Sequence, residues 1–309
     1  MNLPSAPPDP ARIGISYSGG GPLLAVELGI ARAFVQTGIK PSIISGASAG
    51  AITAAAHALD VDTGKGIDLT VEQLGHMSNA TLHLDPGDFV FRVLREGTHL
   101  KGIGDNAPAA GLVSAVLNGL LGVQDVQLGA FGQPMGPNGQ STPLLHVVAT
   151  DIVAQDAYWF GPTAQLQDAL IASSAIPGIF PWRVFAENDG TQRYLVDGGV
   201  VENQPLRKLF DLGCGRIYAC AVGAGPISTE PGNLIDNVLR SVNVSMHECS
   251  KIEEDYLRSQ LPADCRVIHI HPEMTTPVVD FNFTPALVKQ VVDEACDLTV
   301  KWLQGDPQQ

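Results

Sequence analysis

Charge is scarce in this chain, and basic charge scarcest. Of 309 residues only 16% are Asp, Glu, Lys or Arg, with 18 basic against 32 acidic residues and a formal net charge of −14. Globular proteins carry about 25% charged residues. The shortage of cations excludes the basic footprint that a nucleic acid backbone requires, and leaves no polybasic patch for an anionic membrane. With 45% hydrophobic content the chain is not a disordered polyelectrolyte either, and it is long enough to bury a sizeable core.

Long apolar runs are missing too. The most apolar region, residues 43 to 59, is interrupted by Ser45, Gly46, Ser48, Gly50, Thr53 and His57 and lacks the bulky side chains of a bilayer span. The opening MNLPSAPPDPARIG holds four prolines and Asp9 where a secretory leader would have a basic and then an apolar segment. The expectation is a cytoplasmic protein with a loose lead-in over residues 1–11. Cysteine pairing is absent as well: Cys214, Cys220, Cys249, Cys265 and Cys296 are odd in number and contain no C-x-x-C pair. Neither a disulfide framework nor a zinc site is expected, only free thiols in a reducing compartment.

What is present is alternation. Short β-branched runs exchange with longer helix-like ones, which predicts an α/β fold with a mainly parallel sheet covered on both faces. ARIGISYS (11–18), SIIS (42–45), LLHVVATDI (144–152), AYWFG, QRYLV (192–196), RIYACAVG (216–223) and CRVIHIH read as strands. LLAVELGIARAFVQTG (23–38), AQLQDALIASSA (164–175), NQPLRKLFDLG, residues 232–261 and TPALVKQVVDEACDLTVKWL read as helices. Residues 60–143 are rich in Gly, Pro, Asp and Asn, and only PAAGLVSAVLNGLLG (108–122) reads as helical there. The expected organisation is one domain over residues 12–309, with 60–143 as an irregular cap or insertion.

Chemistry concentrates in three glycine-flanked places. G-A-S-A-G (46–50) stands between a strand and a helix, the pattern of a nucleophile elbow that lifts the Ser48 hydroxyl off the sheet. The same small residues would also suit an ordinary packed bend. S-G-G-G (18–21) follows the first strand, so backbone N–H groups there can converge on an anionic oxygen. A dinucleotide fingerprint is disfavoured by the missing third glycine and by Pro22. Asp197 ends a strand and precedes Gly198 and Gly199, placed either as a functional carboxylate or as a simple Asp-Gly turn. His269 and His271 could complete a Ser-acid-His triad, although H-I-H lies inside a strand with both rings on one face. His57, nine residues past Ser48, would point away from the elbow.

The ordered set of G-G-G, G-A-S-A-G and D-G-G, continued by LLHVVATDI, ALIASSAIPGIFPW and LVDGGVVENQPL, resembles the patatin-like phospholipase family over most of residues 12–225. The resemblance implies a three-layer α/β/α fold and a Ser-Asp dyad: Ser48 as nucleophile, Asp197 as base, and the amides of Gly19, Gly20 and Gly21 as oxyanion hole. Gly46, Gly50, Gly198 and Gly199 would support these motifs. It implies hydrolysis of a lipid or other acyl ester with no metal or organic cofactor, compatible with transient contact with a membrane or micelle. Thr98, His99 and Leu100, or Phe180 to Trp182, are candidates to line the acyl pocket. One departure stands out: where the family's glycine loop continues with a basic residue and a glycine, this chain has Leu23 and Leu24. A triad esterase of the α/β-hydrolase type, a lipid-binding member without catalysis, and an acyltransferase remain the alternatives.

Overall fold

The run I-I-S-G-A is buried along its whole length as strand β2 (Ile43–Ala47), and the other elements are placed around it. The computed structural model describes residues 7–84, 95, 101–102, 104–105, 107–136, 139–222, 234–260, 265–278 and 281–305. In chain order the remaining elements are β1 (Asp9–Tyr17), α1 (Leu24–Thr37), α2 (Ala49–Leu59), α3 (Lys65–Leu74), α4 (Ala107–Leu121), β3 (Leu144–Asp151), β4 (Asp156–Trp159) and α5 (Leu166–Ser173). They continue with β5 (Arg183–Ala186), β6 (Gln192–Val196), α6 (Gly199–Glu202), α7 (Arg207–Asp211), β7 (Cys214–Cys220), α8 (Leu234–Gln260), β8 (Arg266–Ile270) and α9 (Pro285–Gly305).

Eight strands form one sheet, paired in the order β5-β6-β3-β2-β1-β7-β8, with β4 also on β3. Strands β1, β2, β3, β7 and β8 run parallel, as the alternating sequence predicts. The antiparallel strand pairs are β4 on β3, β6 on β3 and β5 on β6. The pleat divides the residues of each strand between two faces. Ile15, Tyr17, Ile44, Val147 and Tyr218 join the main core with Leu28 and Phe34 of α1, Ala51 and Ala54 of α2 and Val291 of α9. Ile43, Ile217 and Ala219 point to the other face and pack on Leu206, Leu209 and Phe210. Each such large side chain contributes about 1.5–3 kcal/mol on burial, so the alternation itself holds helices on both sides.

Four differences from the sequence reading have local causes. Strand β1 starts at Asp9, inside the expected lead-in, because Asp9 pairs with Cys214 of β7. Helix α3 lies in the region that reads as irregular; its buried Ile67, Thr70 and Leu74 keep helical spacing, but the Gly- and Asp-rich turn before it hides the pattern. There the Asp60 carboxylate accepts from the backbone N–H groups of Asp62, Thr63 and Lys65. Strand β5 follows directly on the proline-punctuated IPGIFPW loop and owes its extended form to pairing with β6. The stretch NQPLRKLFDLG forms α7 only from Arg207, since Pro205 and the preceding turn interrupt it.

Candidate active site

Two strands meet head to head along one edge of β3. β2 runs parallel to β3 up to the pair Ala47–Val148, while β6 runs antiparallel to it down to the pair Val196–Thr150. Strand β4 pairs with both Val148 and Thr150 and so occupies the opposite edge. The next residue of β2 is Ser48 and the next of β6 is Asp197, and both enter the gap beside Ala149. A Cβ on Gly198 would stand 2.3 Å from the Val148 carbonyl oxygen, which shows how closely this turn rides on β3.

Ser48 sits on the sharp turn between β2 and α2 with φ 53° and ψ −126°, a backbone region that side chains other than glycine's adopt rarely and at a cost. Gly46 and Gly50 make the turn possible by close approach. A Cβ at Gly46 would lie 2.4 Å from the Gly50 carbonyl oxygen, and one at Gly50 would lie 2.4 Å from the carbonyl oxygens of Tyr17 and Ser18. Any larger residue would push the elbow off the end of β1.

The Ser48 hydroxyl donates to Asp197 Oδ2 at 2.6 Å. Asp197 Oδ1 accepts the Gly199 N–H at 2.8 Å, and its carbonyl accepts the Thr150 hydroxyl at 2.8 Å. The Ser48 N–H donates to Ser173 Oγ at 2.9 Å. Ser48 is 4% and Asp197 1% exposed. Burial pushes the Asp197 carboxyl up to about 7, against the hydrogen bonds from Ser48 and Gly199 that hold it down. A carboxylate of that basicity, touching a hydroxyl, can accept its proton near neutral pH.

The glycine loop lies next to this pair. The Gly19 N–H donates to the Asn203 carbonyl at 2.9 Å, so it is already engaged. The N–H groups of Gly20 and Gly21 make no hydrogen bond among the described residues, and both residues are half-buried. Leu23 is half-buried and packs on the main core; a Cβ at Gly20 would lie 3.3 Å from the Leu23 Cβ. Phe281 is the neighbour nearest to where a Gly21 side chain would start. It also belongs to a small apolar cluster with Leu82, Leu84, Ile176, Ile179 and Phe180.

The histidines lie elsewhere. His57 is wholly buried, with Nδ1 2.9 Å from the Tyr17 hydroxyl and its ring stacked on Phe34, and burial lowers its pKa to about 3. His269 Nε2 is 3.2 Å from Glu254 and His271 Nδ1 2.8 Å from the Ala221 carbonyl. No histidine is a hydrogen-bond partner of Ser48 or Asp197 among the described residues, and Asp197 itself takes the place beside Ser48 that a triad would give to histidine. Of the expected acyl-pocket residues, Phe180 is in the apolar cluster, Trp182 lies under the Lys101 ammonium at 5.2 Å, and Thr98, His99 and Leu100 lie outside the described residues. Ser173, Thr150 and Asn203 are site residues that the sequence does not reveal; nothing local in A-S-S-A or V-V-E-N marks them.

None of the five cysteines is in a disulfide. Among the described residues no group of His, Cys, Asp and Glu side chains could hold a metal ion, and no helix is long and apolar enough to cross a membrane.

The model of the patatin-like phospholipase family matches this chain over residues 15–77 and 143–210, which contain all three glycine-flanked motifs. Among solved structures, human GIVD cytosolic phospholipase A2 aligns over 95% of this chain and 59% of its own length, with 13% identity and a TM-score of 0.52. VipD from Legionella pneumophila aligns over 96% of this chain and 67% of its own, with 18% identity and a TM-score of 0.46. At these identities the first likeness shows a shared fold. This chain spans less than two thirds of the length of the human phospholipase.

Proposed function

Since the chain belongs to the patatin-like phospholipase family, we propose that it is a serine acyl hydrolase cleaving carboxylic esters of lipids, with Ser48 as nucleophile and Asp197 in place of a histidine as its base. Ser48 Oγ attacks the acyl carbon while its proton passes to Asp197 Oδ2. The carbonyl oxygen becomes an oxyanion facing the free N–H groups of Gly20 and Gly21 and the amides that open α2. When the tetrahedral intermediate collapses, the bond to the leaving alcohol breaks and that oxygen takes the proton from Asp197. Water then attacks the acyl-serine, giving a proton to Asp197; the bond between the acyl carbon and Ser48 Oγ breaks, Oγ takes that proton back from Asp197, and the fatty acid is released. No metal or organic cofactor enters this scheme.

The observation that carries this reading is the 2.6 Å bond between Ser48 Oγ and Asp197 Oδ2, made in a buried setting that raises the carboxyl to about 7. The apolar cluster behind Gly21, from Phe281 to Phe180, supports an apolar acyl or alcohol group. Leu23 beside Gly20 supports an uncharged ester over a phosphate-bearing one, because the loop offers no cation there.

The test is hydrolysis of short p-nitrophenyl esters, acylglycerols, lysophospholipids and phospholipids by the wild-type protein, together with labelling by a fluorophosphonate probe. The expected result is ester cleavage and labelling, both abolished in Ser48→Ala. Absence of cleavage and labelling from well-folded wild type would refute the hydrolase and leave a lipid-binding member of the fold. Acyl transfer to an added alcohol without release of free acid would make it an acyltransferase.

A further inference from the structure

The carboxamide of Asn203 is a polar head at the nucleophile that the dyad scheme leaves unused. Its Oδ1 is buried without a hydrogen-bond partner among the described residues. It lies 2.4 Å from where a Gly19 side chain would begin, a point that is itself 3.2 Å from Ser48 Cβ. It also lies 2.6 Å from where a Gly199 side chain would begin, a point 3.0 Å from Asp197 Oδ1. The carboxamide is therefore wedged between the glycine loop and Asp197, level with Ser48, in room that exists because residues 19 and 199 have no side chains. The backbone of the same residue closes the loop: the Asn203 carbonyl accepts the Gly19 N–H at 2.9 Å, which removes one of the three loop amides from use.

A buried polar atom without a partner is costly, and in a native protein it calls for a reason. As the carboxamide stands, its Nδ2 makes no hydrogen bond among the described residues and, unlike Oδ1, is not closed off from solvent, so the head offers an unengaged donor. Asn and Gln side chains serve as oxyanion donors as well as backbone amides do.

We propose that Asn203 is a catalytic residue, its Nδ2 donating to the ester carbonyl oxygen as it becomes the oxyanion, in place of the engaged Gly19 amide. This rests on the serine hydrolase reading. The negative charge formed when Ser48 attacks is then shared by Gly20, Gly21 and Asn203, and is returned to the carbonyl when the alcohol leaves. No atom is transferred to or from Asn203.

Asn203→Leu removes the donor while keeping side-chain size, and Asn203→Ala serves if that variant does not fold. Both keep the backbone carbonyl that holds Gly19. Steady-state kinetics on a p-nitrophenyl ester should show kcat lowered by on the order of 100-fold or more with KM changed less than about 3-fold, the signature of an interaction made in the transition state. The pH midpoint of kcat should not move. A folded variant whose kcat stays within about 3-fold of wild type overturns the assignment. So does an unchanged plateau with a shifted midpoint, which would make Asn203 a positioning residue for Asp197. If the wild type itself neither cleaves esters nor is labelled at Ser48, the hydrolase reading falls first and this assignment with it.

Discussion

Ser48 and Asp197 are 149 positions apart in the chain and 2.6 Å apart at their side-chain oxygens, because β2 and β6 approach each other end to end along the same edge of β3. Strand pairing fixes the contact before any side chain is considered. Ala149, the residue of β3 between the two ends, is buried, so the gap has a solid floor. The tight turns that follow, over Gly50 and over Gly198, are seated against backbone oxygens at distances that a Cβ would violate.

Activity should follow the ionisation of Asp197. Its carboxyl is raised to about 7 by burial, and a general base works only when deprotonated. The expected kcat/KM therefore rises with pH through a midpoint near 7 and levels off above it, where an ordinary carboxylate would have levelled off about three units lower. A pH profile on a water-soluble ester measures this. A plateau extending down to pH 5 would show that the base titrates as an ordinary carboxylate and that burial does not raise Asp197.

The same raised pKa has a stability consequence. A carboxyl that holds its proton more tightly when folded contributes stability below its unfolded pKa, and that contribution is lost as pH rises through the folded value. For Asp197 the window runs from 3.8 to about 7. Asp197→Asn keeps the size and can keep the bond from the Gly199 N–H, without the buried charge. Its stability advantage over wild type should grow between pH 4 and 7 and stay constant above. The total is a few kcal/mol, since each pH unit crossed inside the window adds about 1.4 kcal/mol. Urea unfolding of both proteins at pH 4.5, 6 and 8 gives the comparison; a difference that does not vary with pH contradicts it.

Ser48 carries backbone strain that its replacement can release. With φ at 53° the residue occupies a region costing about 1–3 kcal/mol for any side chain with a Cβ. Glycine elsewhere costs about 0.5–1 kcal/mol through its unfolded-state freedom. Both Ser48→Gly and Ser48→Ala should be inactive, but the glycine variant should be the more stable of the two, by up to about 2 kcal/mol. Thermal unfolding of the pair decides the matter. An alanine variant that melts above the glycine variant would mean the turn is not strained.

How much of this the sequence shows depends on how local the cause is. The elbow is local: Gly46, Ser48 and Gly50 lie within five residues between a strand and a helix, and the small side chains reveal the turn. Asp197 is half local, visible as a carboxylate at a strand end, but its meeting with Ser48 needs β6 to run antiparallel to β3, and no residue in QRYLV encodes direction. Ser173 and Asn203 act across 125 positions to Ser48 and through a backbone carbonyl to Gly19, contacts that packing decides. Gly19, Gly20 and Gly21 are alike in sequence; only the fold shows that the Gly19 N–H is taken. The histidine alternative fails for a similar reason, since the His269–Glu254 and His271–Ala221 contacts are set by what surrounds β8.

Leu23 should control the choice between charged and uncharged esters. It follows the glycine loop, its Cβ close to Gly20, on a chain whose net charge of −14 repels anionic lipids. A guanidinium at this position would offer charge-assisted hydrogen bonds to a phosphate oxygen, which are stronger than neutral ones and suit the planar fork of arginine. Leu23→Arg should therefore raise the ratio of kcat/KM on a phospholipid to that on an uncharged acylglycerol by about 10-fold, the equivalent of 1.4 kcal/mol. It also removes an apolar side chain packed on the core, so Leu23→Gln is the control for lost packing without gained charge. If the two variants shift the ratio equally, the cation is irrelevant. If only the arginine variant shifts it, the apolar loop is what disfavours phosphate-bearing substrates.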